Sequence, residues 1–128
     1  MPILHSGLYR CQTLAENSSL ASHYYELESA TGSWSLSSGS LALRNKVGAL
    51  SLLAVANTAT NQIQLKNFIA TIGTPYTMGI DAFDLTDNVG VSAQIEPVGS
   101  DSNHARIRFS YNIASGHTVK VMGCVVIQ

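Results

Sequence analysis

Three successive runs near the C-terminus place a non-polar residue at every second position: Val89-Val91-Ala93-Ile95, Ala105-Ile107-Phe109-Tyr111-Ile113 and Val119-Val121-Gly123-Val125-Ile127. A period of two is that of a β-strand, whose successive side chains point to opposite faces of a sheet. Each run therefore has one face for a core and one for water or a partner. The last run carries the terminal Gln128 with it, which predicts a C-terminus tied into a sheet. A chain with this texture is built of strands, and its function is to be sought in surfaces and assembly.

The rest of the chain reads as shorter pieces of the same kind. Residues 3–11 alternate weakly and suit a first strand, and residues 12–22 are Ser-rich and suit a loop or a single helical turn. Residues 23–28 are β-prone, 29–33 are turn material, and 34–37 alternate again. Ser38-Gly39-Ser40 marks a turn before a strand at 41–44, and residues 45–48 form a tight reversal. Residues 49–56 (ALSLLAVA) are apolar on both faces, which predicts a central strand covered on two sides. Residues 62–70 begin in alternation and shift phase at Asn67-Phe68-Ile69, as at a bulge or bend. Thr74-Pro75 breaks the chain, residues 76–83 resume it, and residues 84–88 form a polar turn. The sum is eight to ten short strands, no helix beyond two turns, no internal repeat and no linker. The expected fold is all-β, an antiparallel β-sandwich or jelly roll occupying residues 1–128 as one domain.

Composition narrows the classes of partner. Lys plus Arg is 7 and Asp plus Glu is 8, a balance that gives no reason to expect nucleic acid. No run approaches the ~18 consecutive apolar residues of a membrane span, and Met1 to Arg10 lacks a signal peptide's basic region and long apolar core. The reading is of a soluble chain without membrane insertion. Charged residues are 12 % of the chain, about half the usual share of roughly 25 %. A surface so poor in charge suits an oligomer. Cys11 and Cys124 are the only cysteines, too few for a disulfide framework. They are expected to be free, packed thiols, the alternative being a disulfide that joins the two ends of the chain.

The order of the pieces carries a resemblance. Trp34-Ser35-Leu36 leads through Ser40-Leu41-Ala42-Leu43-Arg44-Asn45-Lys46-Val47-Gly48 into the strongly apolar strand, followed by Ile63-Gln64-Leu65-Lys66-Asn67-Phe68 and a loop at Pro75-Tyr76. Val91-Ser92-Ala93-Gln94-Ile95, Ala105-Arg106-Ile107-Arg108-Phe109 and a closing strand complete the layout. Over residues 34–128 it resembles the C-terminal β-sandwich heads of bacteriophage tail-fibre and baseplate receptor-binding proteins. The resemblance implies a homotrimeric, non-catalytic module that binds a host cell-surface saccharide. It also implies other virion tail proteins as partners, and a place in the virion tail after assembly in the host cytoplasm. A virion structural protein, such as a capsid decoration or jelly-roll coat subunit, and a free-standing lectin-like β-sandwich are the alternative readings.

The residues themselves offer little catalytic chemistry. His5, His23, His104 and His117 have no ligand spacing with one another or with a cysteine, so no metal site is expected. Residues 81–88 supply Asp81, Asp84, Asp87 and Asn88, enough oxygen for a hard cation. They lack the loop Gly and terminal Glu of a calcium hand and suit a solvated turn. No serine sits in a Gly-x-Ser-x-Gly elbow, Gly116-His117 reads as a hairpin turn, and Glu26 with Glu28 forms a solvated strand edge. No enzyme and no cofactor are expected.

Recognition chemistry is better supplied. Sugars take an aromatic face against their C–H groups and carboxylates, amides and hydroxyls against their hydroxyls. Trp34, Tyr24, Tyr25 and Tyr76 are the available rings, with Trp34 expected to plug the core. Loops cluster at the ends of sandwiches. Asp84, Asp87 and Asn88 are therefore expected beside Asp101, Asn103 and His104 at one end, with Tyr76 completing a ligand site.

Overall fold

A computed structural model of the chain describes residues 23–98 and 103–128, with residues 76–79 described by their backbone alone. Eight strands follow in order: β1 (His23–Glu26), β2 (Trp34–Arg44), β3 (Val47–Ala56), β4 (Thr60–Leu65), β5 (Pro75–Asp84), β6 (Val89–Pro97), β7 (Ala105–Ile113) and β8 (Thr118–Ile127). A single helical turn, α1 (Phe68–Thr71), lies between β4 and β5. The fold is all-β, as the alternation requires. Among the described residues no helix is long and apolar enough to cross a membrane.

All the strand pairs are antiparallel, in the order β1-β2-β3-β8-β5-β6-β7-β4. Strand β6 serves two neighbours: its first half, from Val89 to Ser92, pairs with β5, and its second half, from Ala93 to Pro97, pairs with β7. The sheet curls until its ends meet. The Ala30 N–H donates to Gln64 O at 2.8 Å and the Lys66 N–H to Glu28 O at 2.9 Å, so the segment after β1 covers the free edge of β4. Covering an edge in this way satisfies backbone groups that would otherwise template pairing with another chain.

Local chemistry explains the joints. β2 and β3 are linked by Asn45 and Lys46, both at positive φ (52° and 65°). That geometry matches the right-handed twist of a two-residue hairpin, and Asn tolerates it well. Ser38-Gly39-Ser40 is not the expected turn: β2 runs through it, with a bulge between Leu36 and Ser38. The small residues instead make room for a crossing chain. The Leu27 N–H donates to Gly39 O at 2.9 Å, and a Cβ on Gly39 would stand 3.3 Å from Leu27 Cβ. Of the bulge or bend expected near residue 67 the structure has the bend: β4 ends at Leu65, and Asn67, at φ 53°, opens α1.

The interior is apolar and continuous, with Leu41, Leu50, Leu52, Ile63, Phe109 and Val121 essentially inaccessible. Each such side chain, fully buried, stabilises the fold by about 1.5–3 kcal/mol relative to exposure. Trp34 packs against Phe109 with ring centres 5.8 Å apart, and its Nε1 donates to Gln62 O at 2.8 Å, tying β2 to β4 across the core. Strand β3 is central, but only one of its faces is fully buried: Gly48, Leu50, Leu52, Ala54 and Ala56 point inward, and the alternate residues are half-buried.

The cysteines differ from the expectation. Cys124 is disulfide-bonded, not a free thiol. Its register gives the reason it is no core residue. Val119, Val121, Val125 and Ile127 of β8 face the core, whereas Cys124 has the opposite parity, and it is nevertheless fully buried. The chain's other cysteine, Cys11, lies outside the described residues, as do the strand expected at 3–11 and the turn expected at 12–22.

Candidate functional site

Asp84 is the one buried charged residue among those described, at 2 % exposure. It ends β5 on the inward face, in line with Ile80 and Ala82, and so presents a carboxylate at the mouth of the curled sheet. A buried carboxylate needs partners, and the polar turn after it provides them. Oδ1 accepts the N–H groups of Thr86 and Asp87, each at 3.0 Å, the local pattern for which Asp is favoured in turns. Oδ2 accepts Nδ1–H of His117 at 2.8 Å, from the β7–β8 turn.

The electrostatics follow from that arrangement. Burial pushes the Asp84 carboxyl up, but the His117 hydrogen bond, the Asp87 and Thr86 amides and the imidazole charge together outweigh it. The carboxyl is held below its ordinary value. His117 moves the other way: its bond to Asp84 raises it, desolvation opposes, and the charges of Asp84 and Asp87 add to the rise. The pair is thus biased towards carboxylate and imidazolium, with Asp87 Oδ2 3.8 Å from Nδ1. Asp84, Asp87 and His117 place one donor atom each within 4.8 Å of one another. A divalent cation could use that set only by displacing the His117 proton from Asp84, because Nδ1 already serves the carboxylate.

Several turns are locked together at this end. Asn57, after β3, donates its side-chain amide to Gly32 O at 2.9 Å and to Ser35 Oγ at 3.0 Å. Ser115 Oγ donates to Asn57 O at 3.0 Å, and the Thr118 N–H donates to Thr86 Oγ1 at 3.0 Å. The backbone contributes Gly116 N–H to Ala56 O at 2.7 Å and Leu85 N–H to Thr118 O at 2.8 Å. Four connections from different parts of the chain therefore form one fixed polar rim. Among the described residues no Ser, Thr or Cys side chain is hydrogen-bonded to His117.

Beside that rim, β7 departs from its ladder. Gln62 pairs with Arg108, but Thr60 pairs with Ile113, so the β7 side holds surplus residues between the two pairs. Ser110, Tyr111 and Asn112 are all exposed there, and Tyr111 keeps 47 % of its surface in solvent. Bulges re-aim side chains in this way. The alternation places Tyr111 on the core face of its run, and the bulge turns it outward. Leu85 and Val89 are exposed next to the same turn.

The expected single site is divided. Asp84, Asp87 and Asn88 lie in and around the β5–β6 turn, whereas Asn103 and His104 precede β7 at the opposite end of β6. The reason is the meander itself: one strand carries the chain from end to end, so consecutive hairpin turns alternate ends. At that far end His104 Nδ1 accepts the Asn67 N–H at 2.9 Å and Asn103 O accepts the Ile69 N–H at 2.9 Å, so both hold the α1 turn. Tyr76 lies opposite Val126 near the start of β5, also away from Asp84. Asp101 falls outside the described residues. Of the other rings, Trp34 is buried, and Tyr24 is exposed while Tyr25 stacks on His23 at 4.2 Å.

A second polar group is structural. Glu96 on β6 accepts from Arg108 Nε at 2.6 Å and Arg106 Nη2 at 3.3 Å, while Arg106 Nη1 reaches Gln62 at 3.0 Å. The Arg108 bond foremost, and the Gln94 and Arg106 bonds after it, hold the Glu96 carboxyl below its ordinary value against the effect of burial. This ladder binds β6, β7 and β4 where β6 changes partners.

Comparison with known proteins finds no matching family model, no matching curated protein and no matching solved structure, so the fold and the site stand on their own geometry.

Proposed function

We propose that this chain is a non-catalytic recognition domain of the phage receptor-binding-head type, a β-sandwich head that takes a host cell-surface saccharide as part of a homotrimer in the virion tail. The observation that carries the reading is the bulge that turns Tyr111 into solvent next to a rim of turns locked by side-chain hydrogen bonds. An exposed aromatic face supplies the stacking surface, and Asp87, Asn88 and Asn112 supply acceptors and donors on a scaffold that need not be ordered on binding. Division of the sheet pairing into two groups that share β6 supports the sandwich description. A non-catalytic role accords with the commitments of the polar groups: the Asp84 carboxylate is satisfied by its own turn and His117, and Ser115 by Asn57.

The test is saccharide binding by array and calorimetry with wild type, Tyr111→Ala and Asp87→Ala. Loss of at least tenfold in affinity for Tyr111→Ala, with an unchanged melt, supports the reading; full binding by both variants overturns the site. Light scattering at micromolar concentration decides the assembly, since a clean monomer removes the trimer.

A further inference from the structure

The outer face of β4, β7 and β6 carries polar side chains in register. Gln62 and Gln64 alternate with buried Ile63 and Leu65, Arg106 and Arg108 alternate with buried Ala105, Ile107 and Phe109, and Gln94 and Glu96 flank buried Ile95. Strand pairing sets Arg108 between Gln62 and Gln94, and Arg106 between Gln64 and Glu96. Two strand spacings make each row of three about 10 Å wide.

The bonds to Glu96 spend these groups unequally. Arg106 commits one Nη to Gln62 and the other to Glu96. Arg108 commits Nε alone, at 2.6 Å, and no described residue takes a hydrogen bond from its Nη1 or Nη2. Its side chain keeps 41 % of its surface in solvent, against 28 % for Arg106. The amides on either side of it are half-spent as well: Gln62 uses Oε1 and retains Nε2, while Gln94 uses Nε2 and retains Oε1. Two guanidiniums stand against the one Glu96 carboxylate, an excess of one positive charge in a chain whose formal net charge is -1. Lys66, just beyond β4, is offset by Glu28 at 3.9 Å.

The unspent edge of a guanidinium is a pair of N–H groups that fits a planar carboxylate with two parallel bonds. An excess of one charge balances a monoanion and not a dianionic phosphate monoester. The retained donor of Gln62 and acceptor of Gln94 suit sugar hydroxyls. Tyr111 stands three residues further along β7, past exposed Ser110, and so at most about 11 Å from Arg108 along the backbone.

We propose that Arg108 holds the carboxylate of an acidic sugar, with Gln62 and Gln94 taking its hydroxyls, so that the saccharide stacked on Tyr111 belongs to the carboxylated class. The proposal rests on the recognition reading above and adds the charge of the ligand to it.

The intact protein is tested on a glycan array of uronic-acid, sialic-acid, sulfated and neutral saccharides, which should favour the carboxylated members. Calorimetry then compares the strongest binder with its carboxyl-reduced form, which should bind at least tenfold more weakly. Arg108→Gln should lose at least tenfold in affinity for the acid and bind the reduced form as wild type does. Because that variant also loses the Glu96 bond, Glu96→Gln serves as its control: it lacks the same ion pair, keeps the guanidinium, and should bind the acid at least as tightly as wild type. Equal losses in these two variants would assign Arg108 a structural role and overturn the proposal. Hits confined to neutral or sulfated glycans, or full binding of the acid by Arg108→Gln, would overturn it too, and a Tyr111→Ala loss in the same assay would leave the recognition reading standing. Binding to no glycan at all overturns both.

Discussion

Replacing Asp84 with alanine probes the rim at its most committed residue. The substitution removes the acceptor of two amide bonds, from Thr86 and Asp87 at 3.0 Å each, and of the His117 bond at 2.8 Å. At about 1 kcal/mol net for each ordinary hydrogen bond, the amide pair alone comes to about 2 kcal/mol. Relief of the buried carboxylate's desolvation offsets part of what the His117 bond adds. The expected loss is therefore about 2 kcal/mol, or roughly 6–12 °C in Tm for a chain of this size. Asparagine discriminates the mechanism. It keeps an oxygen for both amides and offers its own N–H₂ to His117, so Asp84→Asn is expected to cost less than about 1 kcal/mol. Thermal and urea melts of the three proteins at one pH measure both differences. Alanine within about 0.5 kcal/mol of wild type, or asparagine as damaging as alanine, would refute the idea that the carboxylate organises the turn.

His117 is raised in the folded protein, so its contribution is complete below its unfolded pKa and fades as pH rises through the folded one; Asp84 is lowered, so its share fades as pH falls through its own. Wild-type Tm is thus expected to peak at mildly acidic pH, and His117→Gln to flatten the alkaline side of that peak. Gly73→Ala should cost about 1–3 kcal/mol, because φ is +133° and the new Cβ would stand 2.5 Å from Ile127 Cγ2, both sources of strain; an unchanged urea midpoint would contradict this. Trp34→Phe loses the 2.8 Å bond to Gln62 O between β2 and β4 and is expected to lower stability by about 1–2 kcal/mol with an unaltered m-value.

The late strands were legible in the sequence because they alternate, and β6, β7 and β8 coincide closely with the three late runs. What a period of two cannot report is where the ladder slips. Tyr111 keeps the parity of its run yet faces solvent, since surplus residues between the Arg108 and Ile113 pairs are visible only when β4 is laid beside β7. Ser38-Gly39-Ser40 has turn chemistry and became a strand, because the crossing of Leu27 requires small residues there. Two further features are carried by the sequence itself. Hairpin turns that alternate ends already separate Asp84 from Asn103, and the parity of Cys124 already sets it off the core face of β8. The meeting of Asp84 with His117 had no local signal, as it joins turns brought together by the curl of the sheet.

The placement of the last strand governs how the chain can fold. β8 sits between β3 and β5, with Val47 opposite Val126, so the β3–β8 contact at the middle of the sheet spans well over half of the sequence. Long-range pairing of this kind carries a loop-closure cost before any reward, and it places folding in the slower range of milliseconds to seconds. No intermediate sheet of β1 to β7 has a centre. During synthesis β3 and β5 would wait with open edges until β8 leaves the ribosome, and deleting β8 would remove the keystone of the sheet.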